Sequence, residues 1–318
     1  MITAVVVTWS SAREVGDCLR SLEVNGVNEI VVVDNASPDD TCNVVRQAAP
    51  RATLVCNREN RGFAAAVNQG VRTASQPLLL VLNPDAELMT PLDAENEMVR
   101  EAARTDAGVV GGCLVDESGR PQAGFNVRAF PTPGALAAEA LLLNRLWPSN
   151  PINRRYRCLN FDPERAQDIE QPAGAFLLFR REVFDVVDGF DESFRPLWFE
   201  DVDFCLRVSK AGYRNRYSPA ATAKHAGAHS LRDLAFESRE AAWYGNLLRF
   251  ASKHFSANAQ RRLQMSVRAG RAARRWARAA GFGRGGSGTS SRLTGNDSEA
   301  LETADAVQGF SATTTPKS

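Results

Sequence analysis

Residues 78–87 read Leu-Leu-Leu-Val-Leu-Asn-Pro-Asp-Ala-Glu. Five apolar residues that stop at an Asn-Pro turn mark a strand buried on both faces. The same pattern occurs twice earlier. Residues 2–8 form a β-branched run ending at Thr8-Trp9-Ser10, and residues 29–33 form another ending at Asp34-Asn35. Between these strands the period changes to that of helices. Val15, Cys18, Leu19 and Leu22 share one face of a helix over 12–22, and helices are expected over 39–48, 62–74 and 91–104. Further strands are expected over 52–56 and 107–113. The alternation predicts an α/β protein with a mostly parallel central sheet and helices on both faces. Ligands of such sheets sit outside the carboxyl ends of the strands, where the three polar clusters fall.

Residues 116–170 are irregular, with one helix expected over 133–146. A strand follows Gly174, then a helix over 181–187, a helix over 200–211 closed by Gly212, and a short strand over 213–217. The expected organisation is an α/β domain over 1–235, divided into two parts (1–115 and 116–235). A basic amphipathic helical extension over 236–280 and a disordered tail over 281–318 complete it. Residues 241–296 contain no Asp or Glu, and their arginines alternate with Trp243, Leu247, Phe250 and Trp276. Such a stretch suits an anionic membrane surface or a helical hairpin packed on the α/β domain.

Net charge is +1, from 38 basic and 37 acidic residues, which disfavours a nucleic-acid partner. Six irregularly spaced cysteines suggest neither a zinc site nor a disulfide framework, and point to a reducing compartment. The amino terminus reads as a strand and not a signal peptide. No run is long enough to span a bilayer. The expected location is the cytoplasm, with peripheral contact to the inner membrane face through 241–280.

Several residues carry candidate chemistry. Asp34, with Asn35, is a turn former or an acceptor for the N3–H of a pyrimidine base. Arg61-Gly62 opens a helix of small residues whose free N–H groups suit a diphosphate, yet it also reads as a plain glycine-started helix. Asp85 is a turn residue or a ligand for Mg²⁺ or Mn²⁺. Glu200 and Asp201 are helix-dipole partners, or one is a general base desolvated by Trp198 and Phe199. Asp203 and Arg207 are expected to form a surface pair. His225, near His229, is a core or surface residue or a metal ligand.

Taken in order, VVVTW, VVDNASPDDT, NRGFAAAVNQG, LLLVLNPDAE, GAFLLFRREVF, FEDVDFCLR and KHAGAHS resemble the family 2 glycosyltransferases of the GT-A fold, in a rhamnosyltransferase-like subgroup. The resemblance spans about residues 2–255. It implies a nucleotide diphosphate sugar donor bound by Thr8, Asp34, Asn35, Arg61, Gly62, Asn68 and Asn83. It implies a divalent metal on Asp85 and His225, with Asn83 replacing the first carboxylate of the D-x-D motif. Asp201 would be the base and Glu200 its helper, while Gly174 and Trp198 would line the acceptor pocket. The implied reaction is inverting transfer to a saccharide or lipid-linked acceptor, from dTDP-rhamnose or a UDP-hexose. A nucleotidyltransferase is disfavoured because VVVTWSSAREVG lacks a glycine- and lysine-containing signature. A non-catalytic sugar-nucleotide binder is disfavoured by the presence of both Asp85 and Asp201.

Overall fold

The computed structural model describes residues 1–226 and 236–279, so His229 and the 281–318 tail lie outside the described residues. Strands β1 (Ile2–Thr8), β2 (Glu29–Asp34), β3 (Thr53–Cys56) and β4 (Leu78–Leu82) run parallel in the order β3-β2-β1-β4. Helices α1 (Val15–Val24), α2 (Thr41–Ala48) and α3 (Phe63–Thr73) connect them. Alternate strand residues face opposite ways, so each face needs its own cover. Val15, Cys18, Leu19 and Leu22 cover one face with Ile2, Ala4, Val6 and Val32. Ala64, Ala66, Val67 and Val71 cover the other with Val5, Val7, Val31 and Val33.

The next segment departs from the expected helix over 91–104. It forms a short strand, β5 (Ala86–Leu88), and a helix of one and a half turns, α4 (Glu97–Ala102). Pro91 and the Asp93 turn delay the start, and Asn96 caps α4 through the Met98 N–H (2.9 Å). β6 (Ala107–Val115) follows, then β7 (Val127–Arg128). The single helix expected over 133–146 breaks into α5 (Pro133–Ala140) and α6 (Leu143–Leu146) at Leu142, whose φ is 61°. α7 (Pro151–Tyr156), β8 (Gln167–Asp168) and β9 (Gln171–Pro172) complete the middle region.

β10 (Phe176–Arg180) enters antiparallel between β4 and β6. After α8 (Arg181–Val186) and α9 (Glu200–Lys210), β11 (Arg214–His225) is much longer than the strand expected over 213–217. It pairs parallel with β6 and antiparallel with β5, which sets His225 opposite Ala86.

α10 (Phe236–His254) and α11 (Ala257–Ala279) form a helical pair against the catalytic region. Tyr244, Leu247, Phe250, Leu263 and Val267 are buried with Leu136, Phe194, Phe199 and Val202. Most of the apolar residues between the arginines are therefore core. An ionic joint reinforces the packing. Asp203 is fully buried and accepts from Arg207 Nε (2.6 Å), Lys253 Nζ (2.9 Å) and His254 Nε2 (2.7 Å). The expected surface pair of Asp203 and Arg207 is thus a buried network, because α10 covers that side of α9.

Candidate active site

The first edge is built from the ends of β1 and β2. Thr8 and Asp34 are register partners, and Thr8 Oγ1 donates to Asp34 Oδ1 (2.9 Å). The Ser37 N–H donates to Asp34 Oδ2 (3.0 Å), so the carboxylate is oriented by its own turn. Beside it, the Cys42 and Cys56 sulfurs lie 3.2 Å apart as free thiols. Burial, then the Cys56 contact and the Asp34 charge, push the Cys42 thiol up to about 12.

Asn35 is a clamp. Its Nδ2 donates to the Gly62 carbonyl (3.1 Å), and its Oδ1 accepts from the Arg61 N–H (3.1 Å) and Asn57 Nδ2 (3.1 Å). Gly62 has φ 85°, which favours glycine, and a Cβ there would lie 3.2 Å from the Pro196 carbonyl oxygen. That same carbonyl accepts from the Phe63 N–H (2.8 Å). The first amide of α3 is therefore committed to the protein, not open to a phosphate as the sequence suggests. Asn68 is likewise occupied. Its carboxamide donates to the Phe190 carbonyl (2.8 Å) and accepts from the Phe190 N–H (2.9 Å). It ties α3 to the turn after α8.

The second edge lies at the end of β4. The Asn83 N–H donates to the Ala175 carbonyl (3.0 Å). Two residues on, Asp85 Oδ1 lies 3.5 Å from His225 Nε2, and both side chains are buried. Gln122 fixes the imidazole: Nε2 of Gln122 donates to the His225 carbonyl (2.8 Å), which turns Oε1 toward His225 Nδ1 (3.1 Å). A carbonyl oxygen only accepts, so the amide orientation is set, and Nδ1 must be the donor. In the neutral ring Nε2 then presents a lone pair to a carboxylate. A cation or a proton between them reconciles the two. Phe125 stacks on the ring at 5.3 Å and 12°. Among the described residues no group of three or more acidic, His or Cys side chains converges on one point. Asp85 and His225 thus fit a divalent ion only in a shell completed by donor phosphate oxygens, as suits Mg²⁺ or Mn²⁺.

The third element is the start of α9. Asp201 Oδ2 accepts from the Gly174 N–H (3.1 Å) and Gln171 Nε2 (3.2 Å), and Oδ1 from the Val202 N–H (2.8 Å). A Cβ on Gly174 would lie 2.8 Å from Asp201 Oδ2. Glycine is therefore required for the amide to reach the carboxylate, so Gly174 acts on Asp201 in this structure. Glu200 is buried and its Oε2 has no partner. Burial, then the Asp201 charge, raise its pKa to about 8. Burial raises Asp201 too, while the Val202 N–H, the Arg128 charge and the Gly174 N–H pull it back. Asp201 is the member of the pair equipped to carry the negative charge. Trp198 (φ 77°) and Phe199 (φ 73°) hold consecutive left-handed conformations just before it, a local strain of the kind found at functional sites.

Hydrogen bonds join these pieces along one rim: Asn35 to Gly62, Phe63 to Pro196, Asp201 to Gly174, and Ala175 to Asn83. His225 lies against Asp85 at the end. Sequence reasoning missed Gln122, Phe125, Arg128 and Gln171. Arg128 and Gln171 are register partners of β7 and β9, and both address Asp201. Nothing in their local sequence marks them, because each acts across a long-range pairing.

The sheet is that of the GT-A fold, and the class of sugar-transferring enzymes follows from the family model for glycosyl transferase family 2, which matches residues 3–187. The chain belongs to that family. It is 30% identical over 258 residues to the N-acetylglucosaminyl-diphospho-decaprenol L-rhamnosyltransferase of Mycobacterium tuberculosis, covering 74% of this chain and 79% of that one. It is 42% identical to rhamnosyltransferase WbbL of Escherichia coli over 72 residues, covering 23% of this chain and 26% of that one. The fold resembles that of a mannosyltransferase from Pyrobaculum calidifontis in complex with GDP-Man and Mn²⁺. The TM-score is 0.51 at 20% identity, over 88% of this chain and 75% of that one.

Proposed function

We propose that this glycosyltransferase moves L-rhamnose, with inversion, from a nucleotide diphosphate donor to a hydroxyl of a lipid-linked saccharide during cell-envelope polysaccharide synthesis. The observation that carries the proposal is the rim that holds Asp201 in the same hydrogen-bonded series as Asn83 and Asp85. The rhamnosyltransferase relatives support the choice of sugar and the lipid-linked acceptor.

Asp34 takes the N3–H of the pyrimidine, and Thr8 and Asn35 hold the surrounding backbone. Arg61 pairs with the diphosphate. Asp85 and His225 would hold the divalent ion, which when bound neutralises charge on the departing diphosphate. Asp201 accepts the proton of the acceptor hydroxyl, whose oxygen attacks the anomeric carbon opposite the leaving group. Gly174 and Gln171 keep the carboxylate aimed, and Asn68 acts through the Phe190 turn. Trp198 borders the acceptor. Glu200, protonated near neutral pH, leaves the charge to its neighbour. The acid-free helix α11 and the acid-free part of α10 from residue 241 onward supply cations for an anionic membrane surface.

Purified protein incubated with dTDP-rhamnose or UDP-hexoses, a polyprenyl-diphosphate saccharide and Mg²⁺ or Mn²⁺ tests the assignment through nucleotide diphosphate release. Rhamnose transfer is expected, with Asp201→Asn slowing turnover by about 10²–10⁴-fold at nearly unchanged donor affinity. Asp85→Ala should weaken donor binding only when metal is present. Transfer from a UDP-hexose alone would overturn the sugar, and loss of donor binding in Asp201→Asn would overturn its role as base.

A further inference from the structure

Residues 141–159 carry six of the twelve exposed large apolar side chains found among the described residues: Leu141, Leu143, Leu146, Trp147, Ile152 and Leu159. Leu146 is 81% exposed and Trp147 54%. A monomer rarely shows such a concentration without a use for it. The interior of the same segment is polar. Asn144, Asn150 and Asn153 are buried, with Asn150 Nδ2 donating to Asn144 Oδ1 (2.9 Å) and the Trp147 carbonyl (2.7 Å). Asn153 Nδ2 donates to the Pro148 carbonyl (2.7 Å). Three buried amides brace the inside of the ledge beside Tyr156, while leucine and tryptophan are turned out.

The charge on the ledge has one sign. Residues 140–161 contain no Asp or Glu and four arginines. Arg157 is paired with Glu139 (3.6 Å), whereas Arg154 and Arg155 line an open cavity of about 690 Å³ together with Trp147 and Phe161. The acid-free helix α11 abuts the root of the ledge, where Arg274 Nη2 donates to the Ala140 carbonyl (2.8 Å) and Gly270 lies against the same carbonyl.

We infer that the 141–159 ledge is an interfacial anchor that seats this enzyme on an anionic phospholipid surface. Leu146 and Trp147 enter the headgroup–acyl boundary, and Arg154 and Arg155 meet lipid phosphates. Exposed apolar residues beside unopposed arginines complement such a surface on both counts, whereas a protein partner would need matching acids and a matching apolar face. The apolar residues of α10 and α11 are largely used in the core, so the ledge supplies the apolar contact those helices lack. The inference rests on the lipid-facing part of the proposed function and not on the identity of the sugar.

The test is cosedimentation of the full chain with vesicles of phosphatidylcholine containing about one third phosphatidylglycerol, beside pure phosphatidylcholine. The wild type should bind the anionic vesicles. Leu146→Ser combined with Trp147→Ser should weaken binding by about tenfold or more. Arg154→Gln with Arg155→Gln should weaken it several-fold and flatten its salt dependence. Both variants should keep the melting temperature and transfer to a water-soluble acceptor. Quenching of tryptophan emission by brominated lipid should fall in Trp147→Phe, a milder change that serves if the serine variant does not fold. Undiminished vesicle binding in the serine variant would overturn the anchor. So would failure of the wild type to bind, or a dimer in solution that the serine variant separates. Vesicle binding without transfer to a lipid-linked acceptor would leave the anchor standing and remove the proposed acceptor.

Discussion

The Asp34 side and the Asp201 side of the rim are built differently. Asp34 is oriented by Thr8, its neighbour across the sheet, and by Ser37, three residues on. The parallel sheet places these contacts almost automatically. By contrast, Asp201 depends on Gly174 and Gln171, and His225 depends on Gln122, 103 residues away. Asp201 comes shortly after two left-handed residues and sits on a helix that α10 clamps from behind. Asp34 is thus set by the sheet, while Asp201 and His225 are set by tertiary assembly. Damage far from the reacting atoms should harm the second more than the first.

The largest effect expected on this contrast is from Asp203→Ala. Removing the carboxylate leaves Arg207 and Lys253 facing each other around an empty site, at a cost of about 3 kcal/mol. Chemical denaturation should show the loss, and turnover should fall more than donor affinity. Equal loss of both would contradict the contrast. Gln122→Leu comes next. It frees the imidazole of His225, and metal affinity measured by calorimetry should drop about 10–100-fold. An unchanged affinity would mean that His225 is not a ligand.

Asn35→Ala probes the Asp34 side. It releases the Arg61–Gly62 loop from two hydrogen bonds, so the donor KM should rise by about tenfold, with kcat little changed. A fall in kcat alone would place Asn35 with the base. The smallest effect is from Glu200→Gln. The folded pKa of Glu200 is raised, so the native state holds a proton that the unfolded chain has already lost. This contribution is complete below the ordinary carboxylate range and fades as pH climbs toward about 8. The wild type should therefore lose melting temperature between pH 5.5 and 8, while Glu200→Gln should lose less, by a few degrees. Parallel curves for the two proteins would refute the buried-proton account.

What could be read in advance follows the same division. LLLVL and the two earlier β-branched runs announce the sheet, because buried parallel strands are apolar on both faces. Asp34, Asp85 and Asp201 stand out as acids after apolar runs or beside aromatic residues. The antiparallel entry of β10 is invisible, since periodicity carries no strand direction. Asp203 reads as half of an i,i+4 pair, because nothing local says that α10 will cover it. Gln122 and Gln171 resemble any loop glutamine, and Gly174 gives no sign that a methyl group there would strike Asp201. The parts set by short-range pattern are legible, and the parts set by pairings across 27 to 103 residues are not.

The hydrogen bond from Phe63 to Pro196 makes the two halves of this enzyme hard to exchange. A chimera that grafts the first 115 residues of another transferase would bring a foreign helix start to a loop shaped for Gly62. The loop would shift, and with it Trp198, Phe199 and the residues that follow. A graft that carries residues 193–200 along with the amino-terminal half keeps that seam intact. Exchanging the amino-terminal segment of this fold is therefore a two-segment operation.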